Sequence, residues 1–167
     1  MTKLTTIEKI YLAISLIVFV AFSSFIPYLL GMDKINKAVA DNNAAGIENM
    51  VGVALVLAGV ITLLLTLITA FINKIIVYLV TKQRVSFGYT LFIYLISALV
   101  VQVTFTTVQF INKDMNPGVV TLSIQSIMRN ALFIGLLYRK IKKGKLKMLI
   151  TFFILVLLDL LVAIFLK

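Results

Sequence analysis

The sequence contains no cysteine, no histidine and no tryptophan, and it has only two prolines and six acidic residues among 167. Without cysteine there is no disulfide, no thiolate nucleophile and no thiolate metal ligand. Without histidine, the commonest general base and the commonest metal ligand are both missing. The remaining carboxylates are scattered along the chain. We therefore expect a protein that is not an enzyme and that holds neither a metal nor a cofactor.

Charged residues are also scarce. They make up 13% of the chain, whereas hydrophobic residues make up 62% and the mean hydropathy is +1.12. A soluble domain has about 45–50% apolar and about 25% charged residues. This composition leaves too much apolar surface for a water-soluble globule and is too hydrophobic for intrinsic disorder. It predicts a polytopic membrane protein in which residues 1–167 form a single integral membrane domain.

Five segments are long enough to cross a bilayer, which requires about 20 mostly apolar residues. They span residues 10–30, 51–80, 85–111, 118–138 and 148–166. Each is expected to be a helix because unpaired backbone groups are too costly in hydrocarbon. The predicted fold is an all-α polytopic membrane bundle with five transmembrane helices. The only sizeable segment on the outer side, residues 31–49, is predicted to be either a short interfacial helix or a solvated loop.

The distribution of basic residues predicts the topology. With the N-terminus in the cytoplasm, ten basic residues fall on the cytoplasmic side, four on the outer side and two inside apolar segments. Because cytoplasmic loops carry the excess of Lys and Arg, we expect the N-terminus inside and the C-terminus outside the cytoplasmic membrane. The net charge of +10 then indicates contact with anionic lipid rather than with nucleic acid.

The connection between the fourth and fifth segments is the most basic part of the chain, with six positive charges in nine residues. Each charge contributes about 1 kcal/mol of attraction to an anionic leaflet. Besides setting the topology, this connection is predicted to contact lipid head groups through Arg139, Lys140, Lys142, Lys143, Lys145 and Lys147.

Two opposite charges lie near the middle of predicted spans, Arg129 in the fourth and Asp159 in the fifth. A charge at that depth costs at least about 2.5–3.5 kcal/mol, so each needs a partner or water. The two spans form a hairpin centred near Lys143, with Arg129 14 residues before it and Asp159 16 residues after it. At about 1.5 Å per residue, their depths agree to about 3 Å. We predict an ion pair, which either only locks the two helices or forms a buried site for a ligand, an ion or a partner helix.

Polar residues extend this predicted intramembrane site. On the fourth span, Ser123, Gln125, Ser126 and Asn130 lie close to Arg129, and Gln102 lies in the middle of the third span. These side chains either form hydrogen bonds between helices, at about 0.6 kcal/mol each, or line a path for a solute.

Two connections give the chain a resemblance to a known family. A long second span ends in the basic turn Lys82-Gln-Arg-Val-Ser-Phe-Gly-Tyr89, and a Lys-rich turn, Tyr138-Arg-Lys-Ile-Lys-Lys-Gly-Lys-Leu-Lys147, precedes the last span. Over residues 10–166 this order resembles the prokaryotic branch of the Yip-domain (Ypt-interacting-protein-like) family. The eukaryotic signature Asp-Leu-Tyr-Gly-Pro is missing. The resemblance implies a five-span, non-enzymatic membrane protein that forms oligomers or binds other membrane proteins.

Three functions remain open from the sequence. The first is a scaffold or accessory protein of the membrane that acts through helix–helix and lipid contacts, as a homo-oligomer or with another membrane protein. The second is a membrane binding or transport component that recognises a solute or a partner subunit at Arg129 and Asp159. The third is an immunity protein against a membrane-active peptide.

Overall fold

The protein is described by a computed structural model over residues 4–42, 47–111, 119–141 and 144–165. These residues form five helices and no β-strand, which confirms the all-α prediction for the described part of the chain. The helices are α1 (Thr6–Asn42), α2 (Ile47–Thr81), α3 (Phe87–Ile111), α4 (Val119–Ile141) and α5 (Lys145–Phe165). The predicted turn at residues 112–118 lies outside the described residues.

Four of the helices contain stretches that are long and apolar enough to cross a membrane. Within the described residues these stretches are Thr6–Phe25, Gly52–Thr81, Phe87–Gln109 and Val120–Arg139. Many of their apolar side chains face outward, and Ile17, Val56 and Leu65 each expose more than half of their surface. Extensive exposed apolar surface of this kind marks contact with a membrane or a partner.

Helix α1 is longer than the sequence pattern predicts. It continues to Asn42 instead of ending near residue 30, and α2 begins at Ile47. The described part of the predicted outer segment is therefore neither a separate interfacial helix nor a loop, because it extends the two flanking helices. After Gly31 no glycine or proline interrupts the sequence as far as Asn42, so no residue there disfavours helix strongly.

Four of the helices form a closed ring, and α1 lies outside it. Helix α2 contacts α3, α3 contacts α4, α4 contacts α5, and α5 returns to α2. Helix α1 contacts only α2 and α3 among the described elements. The ring places one face of each of its four helices towards a common interior.

The inward face of α4 follows helical spacing. Thr121 is buried near its start, and from residue 126 onwards the buried side chains recur every three or four residues and so form one stripe: Ser126, Asn130, Phe133, Leu137 and Ile141. Towards the end of α4 the stripe is apolar, with Phe133, Leu137 and Ile141. Towards the start of α4 it is polar, with Ser126 and Asn130. The polar half requires polar partners from neighbouring helices, because buried polar groups are costly unless they form hydrogen bonds.

The connection from α2 to α3 is a tight turn with a strained residue. The Lys82 amide donates to the Tyr78 carbonyl at 2.8 Å, and Lys82 has a φ of 55°. This is the left-handed conformation that commonly ends a helix, usually at glycine. Ser86 then caps α3, since the Tyr89 amide donates to its Oγ at 3.3 Å.

We predict that Lys82→Gly stabilises the bundle by about 0.5–1 kcal/mol. A left-handed residue with a Cβ costs roughly 1–2 kcal/mol, and glycine removes this cost. The gain is smaller than the full amount because glycine loses more backbone entropy on folding than lysine does. Reversible unfolding by sodium dodecyl sulfate measures the change. Gln83→Gly, one residue away, is the matched control and is expected to stabilise nothing. Equal effects at the two positions would contradict the strain at Lys82.

Candidate intramembrane polar site

Three donors from α4 converge on one oxygen of Asp159 in α5. Arg129 Nη2 and Ser126 Oγ each donate to Asp159 Oδ2 at 2.5 Å, and Asn130 Nδ2 donates to the same atom at 2.7 Å. Residues 126, 129 and 130 share one helix face because their spacing is i, i+3 and i+4. The predicted ion pair between Arg129 and Asp159 is therefore confirmed, and the predicted neighbours Ser126 and Asn130 belong to it.

A third helix completes the site through an aromatic ring. The guanidinium carbon of Arg129 lies 5.5 Å from the ring centroid of Tyr94 in α3. A cation within about 6 Å of an aromatic face is attracted by the ring quadrupole, by about 2 kcal/mol when desolvated. Tyr94 is almost fully buried, so the site joins α3, α4 and α5.

The Arg129–Asp159 ion pair is not fully buried. The side chains of Arg129 and Asp159 keep 27% and 23% of their surface exposed. Arg129 Nε, in contrast, is buried and has no hydrogen-bond partner among the described residues. A buried donor without a partner costs about 1–3 kcal/mol, or more when the group is charged. The site thus combines a well-satisfied carboxylate oxygen with an unsatisfied guanidinium nitrogen.

Two of the predicted site residues lie elsewhere or take no part in these bonds. Gln102 of α3 accepts a hydrogen bond from Ser23 Oγ of α1 at 3.1 Å, so it belongs to the contact between α1 and α3. Gln125 is half-buried and is not among the donors to Asp159 Oδ2. The polar residues of the third and fourth spans therefore serve two different helix contacts.

The basic connection between α4 and α5 is described only in part. Arg139 and Lys147 are exposed, at the ends of α4 and α5. Lys140 lies in α4 and Lys145 begins α5, while Lys142 and Lys143 lie outside the described residues. The predicted lipid contact of these six residues stays a prediction.

Tyr94 is the site residue that sequence reasoning missed. Its signal was present, because it lies inside an apolar stretch rather than at a membrane–water interface, where tyrosine is enriched. A tyrosine buried at depth usually has a polar partner. Its partners are not identifiable from spacing along α3, since Thr69, which hydrogen-bonds to Tyr94, lies on α2 and Arg129, which faces the ring, lies on α4.

No family model, curated protein or solved structure matches the chain. The resemblance to the Yip-domain family therefore stays a prediction based on the two connections, and the site must be interpreted from its own chemistry.

Proposed function

We propose that the chain is a non-enzymatic integral membrane protein that works as a scaffold or accessory protein through helix–helix and lipid contacts. The observation that carries this proposal is the convergence of Ser126, Arg129 and Asn130 on one oxygen of Asp159. Charges and polar groups that neutralise each other within the bundle fix which helices pack together and in which register. Outside this site the ring presents apolar side chains, which suit lipid or a partner helix.

The proposed architecture has five transmembrane helices with the N-terminus in the cytoplasm. One contact supports placing the first residues of the chain and the α2–α3 turn at one end. A Cβ at Gly88, next to the start of α3, would lie 2.8 Å from Leu4 Cδ1, so the chain at Leu4 is near the α2–α3 turn.

Cysteine labelling tests this topology cleanly because the native chain has no cysteine. We expect Lys143→Cys to react with an impermeant maleimide only after the membrane is opened. We expect Ala40→Cys to react in intact cells, because residue 40 is proposed to lie on the outer side. The cysteine-free chain is the control. Labelling of position 143 from outside would contradict the N-in arrangement.

The proposed lipid contact predicts that the positive charges between α4 and α5 hold anionic lipid at that end of the molecule. Changing Lys142, Lys143, Lys145 and Lys147 together to Gln should reduce the amount of anionic lipid that co-purifies with the protein. At about 1 kcal/mol per charge the loss is large, and it should shrink in high salt. The matched control changes the same number of charges at Lys34, Lys37, Lys113 and Lys167. Equal losses for both variants would leave the basic connection without a specific role.

Native mass spectrometry from membranes tests the scaffold function itself. We expect assemblies heavier than the 18.6 kDa chain, containing a second copy or another membrane protein as well as anionic lipid. The variant Ile17→Asn places a polar side chain on the exposed apolar surface of α1. If that surface holds a protein partner, the variant should form fewer of the heavier assemblies than the native chain. A chain that is always monomeric and carries only a small solute would overturn the scaffold proposal.

One observation favours a second candidate, a binding or transport component. Arg129 Nε has no acceptor among the described residues, although the side chain is partly exposed. Arginine and carboxylate frequently pair through two parallel N–H···O bonds, whereas the bond found between Arg129 and Asp159 in the described structure is the single one from Nη2 to Oδ2. This candidate predicts that a solute or a partner subunit occupies the unused side of Arg129.

A further inference from the structure

The lengths of the connections fix which helix ends lie together. The longest connection, residues 112–118, has seven residues and reaches at most about 29 Å when fully extended. Successive helices contact each other, and a parallel pair would need a connection as long as a helix, which is about 31 Å for the shortest one. Successive helices are therefore antiparallel. Residues 1–9, 82–86 and 139–147 lie at one end of the bundle, which we call the basic end.

The basic end carries most of the net charge of the chain. Its three segments hold ten of the sixteen basic residues and one of the six acids, Glu8, whereas the sequence at the opposite end holds four of each sign. Glu8 accepts hydrogen bonds from the Thr5 amide at 2.7 Å and from Thr5 Oγ1 at 3.1 Å, so it caps its own helix. The ion pair found among the described residues lies elsewhere, between Arg129 and Asp159. The positive charge of the basic end is therefore not balanced by an ion pair within the described structure.

Four exposed basic side chains form two pairs, one on each connection of this end. Lys82 and Arg84 belong to the α2–α3 turn, and Arg139 and Lys147 flank the α4–α5 connection. Because α3 packs against α4 and α2 packs against α5, the two connections cross the end of the ring side by side. Packed helices lie about 8–10 Å apart, so the connections have a similar separation. A single ligand with two linked negative groups can contact both pairs.

The interior of the ring is closed at the basic end. Val85 of the α2–α3 turn, Ile141 at the end of α4 and Met148 in the first turn of α5 are all buried. Apolar side chains therefore fill the interior at this level. A negatively charged ligand is held on the outer surface of this end and not inside the bundle.

Three exposed tyrosines place this surface at the level of lipid head groups. Tyr11, Tyr78 and Tyr138 are exposed, and each lies within four residues of a basic residue of the basic end. Tyrosine is enriched at the boundary between membrane and water. The exposed side chains of Leu79 and Leu149 lie close by in sequence and suit acyl chains. These neighbours favour a lipid over a soluble acidic protein as the occupant.

We propose that the basic end binds a lipid with two phosphate groups. One phosphate contacts Lys82 and Arg84 of the α2–α3 turn, and the other contacts Arg139 and Lys147 beside the α4–α5 connection. Basic pockets between transmembrane helices bind head groups of this class. The inference rests on the lipid contact of the proposed function, to which it adds the α2–α3 turn and a class of lipid.

Native mass spectrometry of the purified full chain tests the proposal with two lipids that have the same acyl chains. Cardiolipin has two phosphates and phosphatidylglycerol has one, so phosphatidylglycerol is supplied at twice the concentration to equalise the phosphate. We expect cardiolipin to bind at least about tenfold more tightly, because its second phosphate meets a second pair of positive charges. Equal binding at equal phosphate would overturn the two-phosphate site.

Paired substitutions locate the two phosphates. Lys82→Gln with Arg84→Gln removes one contact, and Arg139→Gln with Lys147→Gln removes the other. Either pair should lower the affinity for cardiolipin to about that for phosphatidylglycerol, since one phosphate is then left without its partners. A pair that keeps the native preference for cardiolipin would overturn the assignment of that connection. These side chains are exposed, and the comparison of the two lipids on the native chain remains decisive if a variant fails to fold.

The matched control removes two charges from the same end but from outside the ring. Lys3→Gln with Lys9→Gln changes the start of the chain and leaves both connections intact, so it should keep the preference for cardiolipin. A loss equal to that of the other pairs would show that total charge determines binding, and this would overturn the site.

The same titrations separate this inference from the proposed lipid contact. If both lipids bind equally at equal phosphate and the four-lysine variant of the α4–α5 connection loses both, the two-phosphate site is wrong and the contact with anionic lipid stands. If the native chain binds neither lipid, both are wrong.

Discussion

Replacing Asp159 by Leu is expected to lower the free energy of unfolding by roughly 3–5 kcal/mol, as in soluble proteins that lose one partner of a buried ion pair. The substitution removes the acceptor shared by Arg129, Ser126 and Asn130. Arg129 would remain among helices without a counter-charge. Unfolding in mixed detergent and sodium dodecyl sulfate, followed by circular dichroism, measures the loss.

The double variant distinguishes pairing from general damage. Arg129→Leu alone should cost about as much as Asp159→Leu, whereas the two changes together should recover part of the loss, because no buried charge is then left unpaired. Gln125→Leu is the matched control, since it removes a polar side chain from the same helix without unpairing a charge. Additive losses in the double variant would show that the two residues act independently.

The ion pair could be predicted from sequence because Arg129 and Asp159 lie at similar depths in the membrane. The fourth and fifth spans are joined by a short connection, so counting residues from its centre fixes the depth of Arg129 and Asp159. Their opposite charges then select one partner for each. Ser126 and Asn130 were expected near Arg129 as polar neighbours on the same span, but Gln125 fits helical spacing equally well, so their bonds to Asp159 needed the structure.

The remaining features depend on which helices are neighbours, and hydropathy does not encode that order. Tyr94 joins the site because α3 packs against α4. Gln102 lies on the same helix and bonds to Ser23 because α1 also packs against α3. From sequence, both residues are polar groups in one apolar span. The end of α1 was missed for a different reason, since a helix can continue beyond the apolar segment that defines a membrane span.

Gly59 of α2 provides the second large expected effect, at the contact with α1. A Cβ built there would lie 3.1 Å from Ser24 Oγ and 3.5 Å from Val20 Cγ1. Ser24 Oγ also donates to the Val20 carbonyl at 2.9 Å, so it cannot move away without losing that bond. We therefore expect Gly59→Leu to cost about 1–3 kcal/mol, the usual penalty for overfilling a packed contact.

The control for this prediction lies on the same helix. A Cβ at Gly52 meets no atom within 4 Å, so Gly52→Leu makes the same chemical change without the clash. Leucine favours helix over glycine by about 0.5–1 kcal/mol, and this gain should appear at Gly52. Unfolding titrations of the two variants should therefore shift in opposite directions. A disulfide between cysteines introduced in α1 and α2 should also form more slowly in Gly59→Leu, because α2 and α3 are the described helices that α1 contacts. If Gly59→Leu were as stable as Gly52→Leu, α1 would not pack closely on α2 at this point.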